Sequence, residues 1–133
     1  MSNTEDIQRY FANRQKEIDW AALYRVLAET EKQPQMAEVY SKLAAAEEKH
    51  AVAWEKKLTE LKVSFPARKP TWRAATMIWM AKRFGPQFVL PTIASNEKAD
   101  SQAYDGQPDQ EAGEFSRDEK SHARLISMAS QST

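Results

Sequence analysis

The chain has 133 residues, long enough for one domain with a real core that needs neither metal nor disulfide to staple it. It carries 19 Lys and Arg against 19 Asp and Glu and no cysteine. That balance removes the electrostatic case for nucleic acid as a partner, and the missing thiols exclude disulfides, thiolate metal sites and cysteine nucleophiles. The N-terminus lacks a basic stretch followed by an apolar one, and no run of about 18 apolar residues occurs. We therefore expect one domain over residues 1–133, cytoplasmic, with no signal peptide.

Three glycines and an abundance of Ala, Glu, Lys, Gln, Leu and Arg point to an all-α protein. Ser2 with Glu5 is a candidate capping box for a first helix running from about Glu5 to Lys32. Pro34 suits the first turn of a second helix, about Gln35 to Lys62, and the short connection makes the two antiparallel neighbours. Ser64 to Pro70 reads as a loop. Thr71 is placed to cap a third helix through Phe84, ended by Gly85. A fourth helix from Pro86 or Pro91 stops near Asp105, before Gly106. A fifth runs from Pro108 to about Ala129, with a frayed polar tail beyond. Two long helices, a crossover with a shorter helix and two more helices predict a four-helix bundle with one long connection.

Both histidines have glutamate three residues before them: Glu47-x-x-His50 and Glu119-x-x-His122. At about 100° per residue, Met36, Tyr40, Leu43, Ala51, Trp54 and Leu58 fall within roughly 40° of Glu47. Ala112, Phe115, Ala123 and Ile126 surround Glu119 in the same way. A carboxylate centred in an apolar stripe must be paired, protonated or bound to a cation. The other two long helices repeat the situation. Glu17 shares a face with Tyr10, Ala21, Tyr24 and Ala28, and Glu97 with Leu90, Ile93, Ser101 and Tyr104. Glu…Tyr followed by Glu-x-x-His thus occurs twice, as an internal pseudo-repeat.

Four inward carboxylates and two imidazoles on four helices make a dinuclear metal site, with the ligand count of di-iron and di-manganese carboxylate bundles. Oxygen-rich ligation with one imidazole per ion suits two iron ions, Fe2+ or Fe3+, and manganese also fits. Glu47 and Glu119 would bridge by position, and Glu17 and Glu97 would bind one ion each. Tyr24 and Tyr104 would hydrogen-bond the carboxylates from behind. Asp100, one turn after Glu97, is a candidate seventh ligand.

These residues resemble the ferritin-like superfamily, in its rubrerythrin group. The likeness is closest to the erythrin-type domain at the N-terminus of membrane-bound ferritins, which are fused to a vacuolar-iron-transporter-like domain. Glu17-Ile-Asp-Trp-Ala-Ala-Leu-Tyr24, Ala44-Ala-Ala-Glu-Glu-Lys-His50, Arg83-Phe-Gly-Pro-Gln-Phe-Val-Leu-Pro91 and Arg117-Asp-Glu-Lys-Ser-His-Ala-Arg124 carry it. The resemblance implies ferrous iron bound and oxidised by dioxygen or hydrogen peroxide, serving iron homeostasis or export. It also implies a homodimer. Two departures stand out. No Cys-x-x-Cys supplies a built-in electron donor, and no transporter follows Thr133. We expect a stand-alone member or an excised domain, in the latter case at the cytoplasmic face of the inner membrane.

Two other functions compete with ferroxidase chemistry: an iron-sensing or iron-delivering dimerisation module without fast turnover, and peroxide reduction with an external electron donor. The segment around the third helix, with Arg68, Lys69, Arg73, Lys82 and Arg83 about an apolar body, is either a crossover packed on the bundle or a second subunit, or a helix on a membrane surface. Packing is the expectation. Trp20, Trp54 and the methionines read as packing residues, and Glu29, Glu38, Glu55 and Glu60 as solvated faces.

Overall fold

The structure, a computed structural model, describes residues 2–131, Ser2 by its backbone alone. The described residues form five α-helices and no strand: α1 (Ser2–Thr30), α2 (Pro34–Glu60), α3 (Trp72–Phe84), α4 (Pro86–Asp105) and α5 (Gln110–Gln131). The all-α expectation holds. The Ser2 capping box and the end of the tail, Ser132 and Thr133, lie outside the described residues. By packing the chain divides into two compact units, Met1–Trp79 and Met80–Thr133.

In the first unit α1 packs along α2. The link is short, and the Glu31 carboxylate accepts a bond from Gln33 N at 3.1 Å. Pro34 begins α2 as expected, because a first-turn residue has no use for its N–H. The core between the helices is aromatic and aliphatic: Tyr10 stacks on Trp54 at 5.6 Å, Trp20 on Tyr24 at 5.7 Å, and Leu23, Leu27, Leu43 and Leu58 are buried. Trp20 and Trp54 are packing residues, as read. Met128, at 65 % exposure, is not.

α2 stops at Glu60, two residues before the expected end, through a Schellman motif. Val63 N donates to Leu58 O at 3.0 Å and Lys62 N to Thr59 O at 2.9 Å. Lys62 takes the left-handed conformation the motif requires, at φ 61°. With no glycine at hand, a lysine carries a conformation that costs an L-residue about 1–2 kcal/mol.

The loop after α2 has no regular structure, yet it is pinned along its length. Arg14 Nη2 donates to Pro66 O at 2.8 Å, and Gln15 Nε2 to Lys69 O at 2.8 Å. Asp19 accepts from Thr71 N at 2.9 Å and from Thr71 Oγ1 at 2.8 Å. Thr71 Oγ1 in turn accepts from Ala74 N at 3.3 Å, so Thr71 caps α3 as expected. Glu55 is not on a solvated face. Arg14 and Arg68 both bond it at 2.8–2.9 Å, and its carboxyl is held below the usual range, first by the Arg68 hydrogen bond. Glu38, by contrast, makes the expected surface pair with Lys42 at 3.2 Å.

In the second unit α4 packs along α5. Gly85 turns the chain at φ 94°, donates its N–H to Ala81 O at 2.8 Å, and hands over to Pro86 at the start of α4. The helix therefore starts at the first of the two prolines and accommodates Pro91 inside it. α5 starts at Gln110 rather than Pro108, with Ala112 N bonded to Asp109 O at 3.1 Å, and it runs past Ala129 to Gln131. The Ser116 hydroxyl, buried, lies 3.0 Å from Ser101 O and also bonds Asp105, whose carboxyl it and Lys120 lower.

Lys62→Gly should raise stability by up to about 1 kcal/mol in urea unfolding, by relieving the left-handed backbone. The Tyr40 hydroxyl is buried without a hydrogen-bond partner, and burial, then the Glu31 charge, raises its pKa to about 12. Its folded pKa lies above the ordinary value of 10.0, so the unfolded chain ionises first and stability falls between about pH 10 and pH 12. Tyr40→Phe should lose that part of the alkaline fall and cost nothing at neutral pH, measured by thermal unfolding across the range.

Candidate metal centre

In the first unit the inward stripe of α1 carries Glu17 among Tyr10, Ala21 and Tyr24, all buried. The stripe of α2 carries Glu47 and His50 among Tyr40, Leu43, Ala51, Trp54 and Leu58, also buried. Glu48, one residue on, points away and pairs with Arg25 at 3.0 Å. Helical spacing thus separates a buried glutamate from a solvated one at adjacent positions. His50 Nδ1 lies 3.3 Å from Glu17 Oε2 and 3.1 Å from Glu47 Oε1.

The second unit repeats the arrangement. Glu97 on α4 and Glu119 on α5 are fully buried, with His122 beside them. His122 Nδ1 lies 3.5 Å from Glu97 Oε2 and 3.2 Å from Glu119 Oε1. The surroundings are Leu90, Ile93, Tyr104, Ala112, Phe115 and Ile126, all buried, and the Tyr104 ring meets Phe115 edge-on at 6.0 Å. The pseudo-repeat read from the sequence is therefore repeated in distances as well as in residue types.

Each trio brings one ligand atom from two glutamates and a histidine to within 4.8 Å of one another. Two carboxylates against one imidazole leave excess negative charge even when the ring is protonated, and the low-dielectric surroundings make that costly. The approaches are close without being bonds: both histidine Nδ1 atoms and both oxygens of Glu47 and of Glu119 make no hydrogen bond. Acceptor atoms converging at this spacing are a fit for a cation. The donor set, oxygen-rich with one imidazole, matches iron or manganese better than the nitrogen and sulfur cages of structural zinc. Buried groups that could hold a metal are thus present in both units.

The remaining site residues fall into two classes. Tyr24 and Tyr104 are buried in the same stripes as Glu17 and Glu97. Asp100 is half-buried on α4 and is absent from the groups whose ligand atoms converge. Ser101, read from the sequence on the Glu97 face, is buried there, and one buried polar residue outside the sequence reading joins the site: Asn13, four residues before Glu17. Its i−4 spacing is the available signal. Ser101 Oγ donates to Lys98 O at 2.7 Å.

Comparison with protein-family models, curated proteins and solved structures returned no match.

If the trios bind cations, anaerobic Fe2+ or Mn2+ should stabilise the fold, by about 2.7 kcal/mol at a hundredfold excess over Kd. Differential scanning calorimetry should show the rise in Tm in the wild-type chain and lose most of it in the His50→Ala, His122→Ala double variant. An equal rise in both proteins would place the metal elsewhere.

Proposed function

We propose that the two trios form one dinuclear centre inside a ferritin-like four-helix bundle of the rubrerythrin type, and that the chain binds and oxidises ferrous iron. The observation that carries this reading is the doubling: glutamate on one helix and Glu-x-x-His on the next, twice, with all six residues buried and histidine–carboxylate distances matched to within 0.2 Å. A structural ion pair would need neither the repeat nor the surplus of carboxylate.

In this reading Glu17 and His50 would hold one ion and Glu97 and His122 the other, and Glu47 and Glu119 would be shared between them. Two ferrous ions, as substrate, give up one electron each, enough to take dioxygen to hydrogen peroxide or hydrogen peroxide to two waters with two protons. The protein's part is placement. Carboxylates balance the added charge as iron passes from the ferrous to the ferric state, and the apolar stripes keep bulk water from the ligands. Tyr24 and Tyr104, two turns along the stripes, would steady the terminal carboxylates, and Asp100 would be an adjustable seventh ligand.

Anaerobic titration with Fe2+ should saturate near two ions per chain, and Glu47→Ala should lower that number while His50 and Glu17 remain. On mixing with air, stopped-flow absorbance should report ferric iron forming faster than in buffer alone. Saturation at two ions without accelerated oxidation would favour an iron-delivering module instead. Saturation at one, unchanged by Glu47→Ala, would sink the dinuclear reading.

A further inference from the structure

The chain is neutral as a whole, but its charge is not evenly spread. Between Glu60 and Glu97 there is no acidic residue, while Lys62, Arg68, Lys69, Arg73, Lys82 and Arg83 all lie in this stretch. The rest of the chain therefore carries a matching excess of acid. Arg68 is spent on Glu55, at 2.8–2.9 Å. Arg73, Lys82 and Arg83 are exposed, and none makes a salt bridge among the described residues.

α3, at the centre of this stretch, is amphipathic in an inverted sense. Its buried positions are the small residues Ala74 and Ala81, seven apart on one face. On the opposite face, at about 180° on the helical wheel, stand Trp72 and Trp79, also seven apart. They are 74 % and 58 % exposed. Arg83 falls on the tryptophan side, and Arg73 and Lys82 flank it at roughly 80–100° to either side. The Arg73 guanidinium lies over the Trp72 ring, 5.4 Å from its centroid. The helix thus docks through its smallest side chains and turns its largest apolar ones outward, rimmed by cations. The expected packing of α3 applies to the alanine face and not to the tryptophan face.

We propose that the Trp72–Trp79 face of α3 is a docking surface for an anionic lipid bilayer, on which the helix lies in the interface plane. Charge complementarity commits the surface to this occupant. An anionic bilayer meets an acid-free stretch with opposite charge, and tryptophan rings bordered by Lys and Arg suit the headgroup region. A second copy on the same face would bring two basic stretches together, which is unfavourable. The mode is surface attachment, since no described helix is long and apolar enough to cross a membrane.

The test is co-sedimentation of the full chain with phosphatidylcholine vesicles containing phosphatidylglycerol, against pure phosphatidylcholine vesicles. Binding should require the anionic lipid and weaken as salt rises. It should fall roughly tenfold or more in Lys82→Glu, Arg83→Glu and in Trp72→Ser, Trp79→Ser, both with wild-type circular dichroism. Brominated lipid should quench part of the fluorescence in the wild type, because Trp20 and Trp54 are buried and shielded from it while Trp72 and Trp79 are exposed. No binding, equal binding to neutral vesicles, or binding untouched by both double variants would overturn the proposal. So would a wild-type dimer that the tryptophan variant dissociates, or tighter binding to duplex DNA than to the vesicles.

Discussion

Four glutamates at zero exposure, in a chain of this size, are the constraint on which the rest of the structure depends. Each sits where periodicity calls for an apolar side chain, and each would be better solvated almost anywhere else. The fold holds them there with long helices whose stripes are otherwise well packed. Tyr10 on Trp54 and Tyr104 against Phe115 bracket the acidic positions with large rings. Burial of those rings offsets part of the penalty that the carboxylates impose. Stability and site are thus coupled, because the stripes that form the cores of both hairpins also carry the buried glutamates and histidines that could hold a metal.

The loop and α3 answer a different requirement. A long connection must satisfy its backbone polar groups, and this one does so from a single helix. Arg14, Gln15 and Asp19, successive side chains along α1, reach Pro66 O, Lys69 O and Thr71. Asp19 thereby fixes Thr71, and Thr71 fixes the first turn of α3. The orientation of α3, alanines in and tryptophans out, is anchored at its N-terminus by this chain of bonds.

Much of this was legible in the sequence. Five helices, Pro34 and Gly85 as punctuation, and the inward positions of Glu17, Glu47, His50, Glu97, Glu119 and His122 follow from a period of 3.6 residues and the steric rules of proline and glycine. The failures have physical reasons. Lys62 sits in a left-handed cap that propensity disfavours, so the sequence pattern carries α2 two residues past its end at Glu60. Glu55 reads as a surface residue until Arg14 and Arg68, 41 and 13 residues away, come to it. The sequence makes α3 a packed crossover because a long connection must be covered, and within the chain only its alanine face is buried. Long-range pairing leaves no mark on local periodicity, and periodicity alone does not say which face of a helix such as α3 is buried.

In the proposed function the two matched trios act as one centre. Diffraction from crystals grown with ferrous iron, recorded at the iron absorption edge, tests it most directly. Two anomalous peaks per chain about 3.5–4 Å apart, with Glu47 and Glu119 touching both, are expected. A single peak, two peaks too far apart to share a carboxylate, or peaks away from these six residues would contradict it.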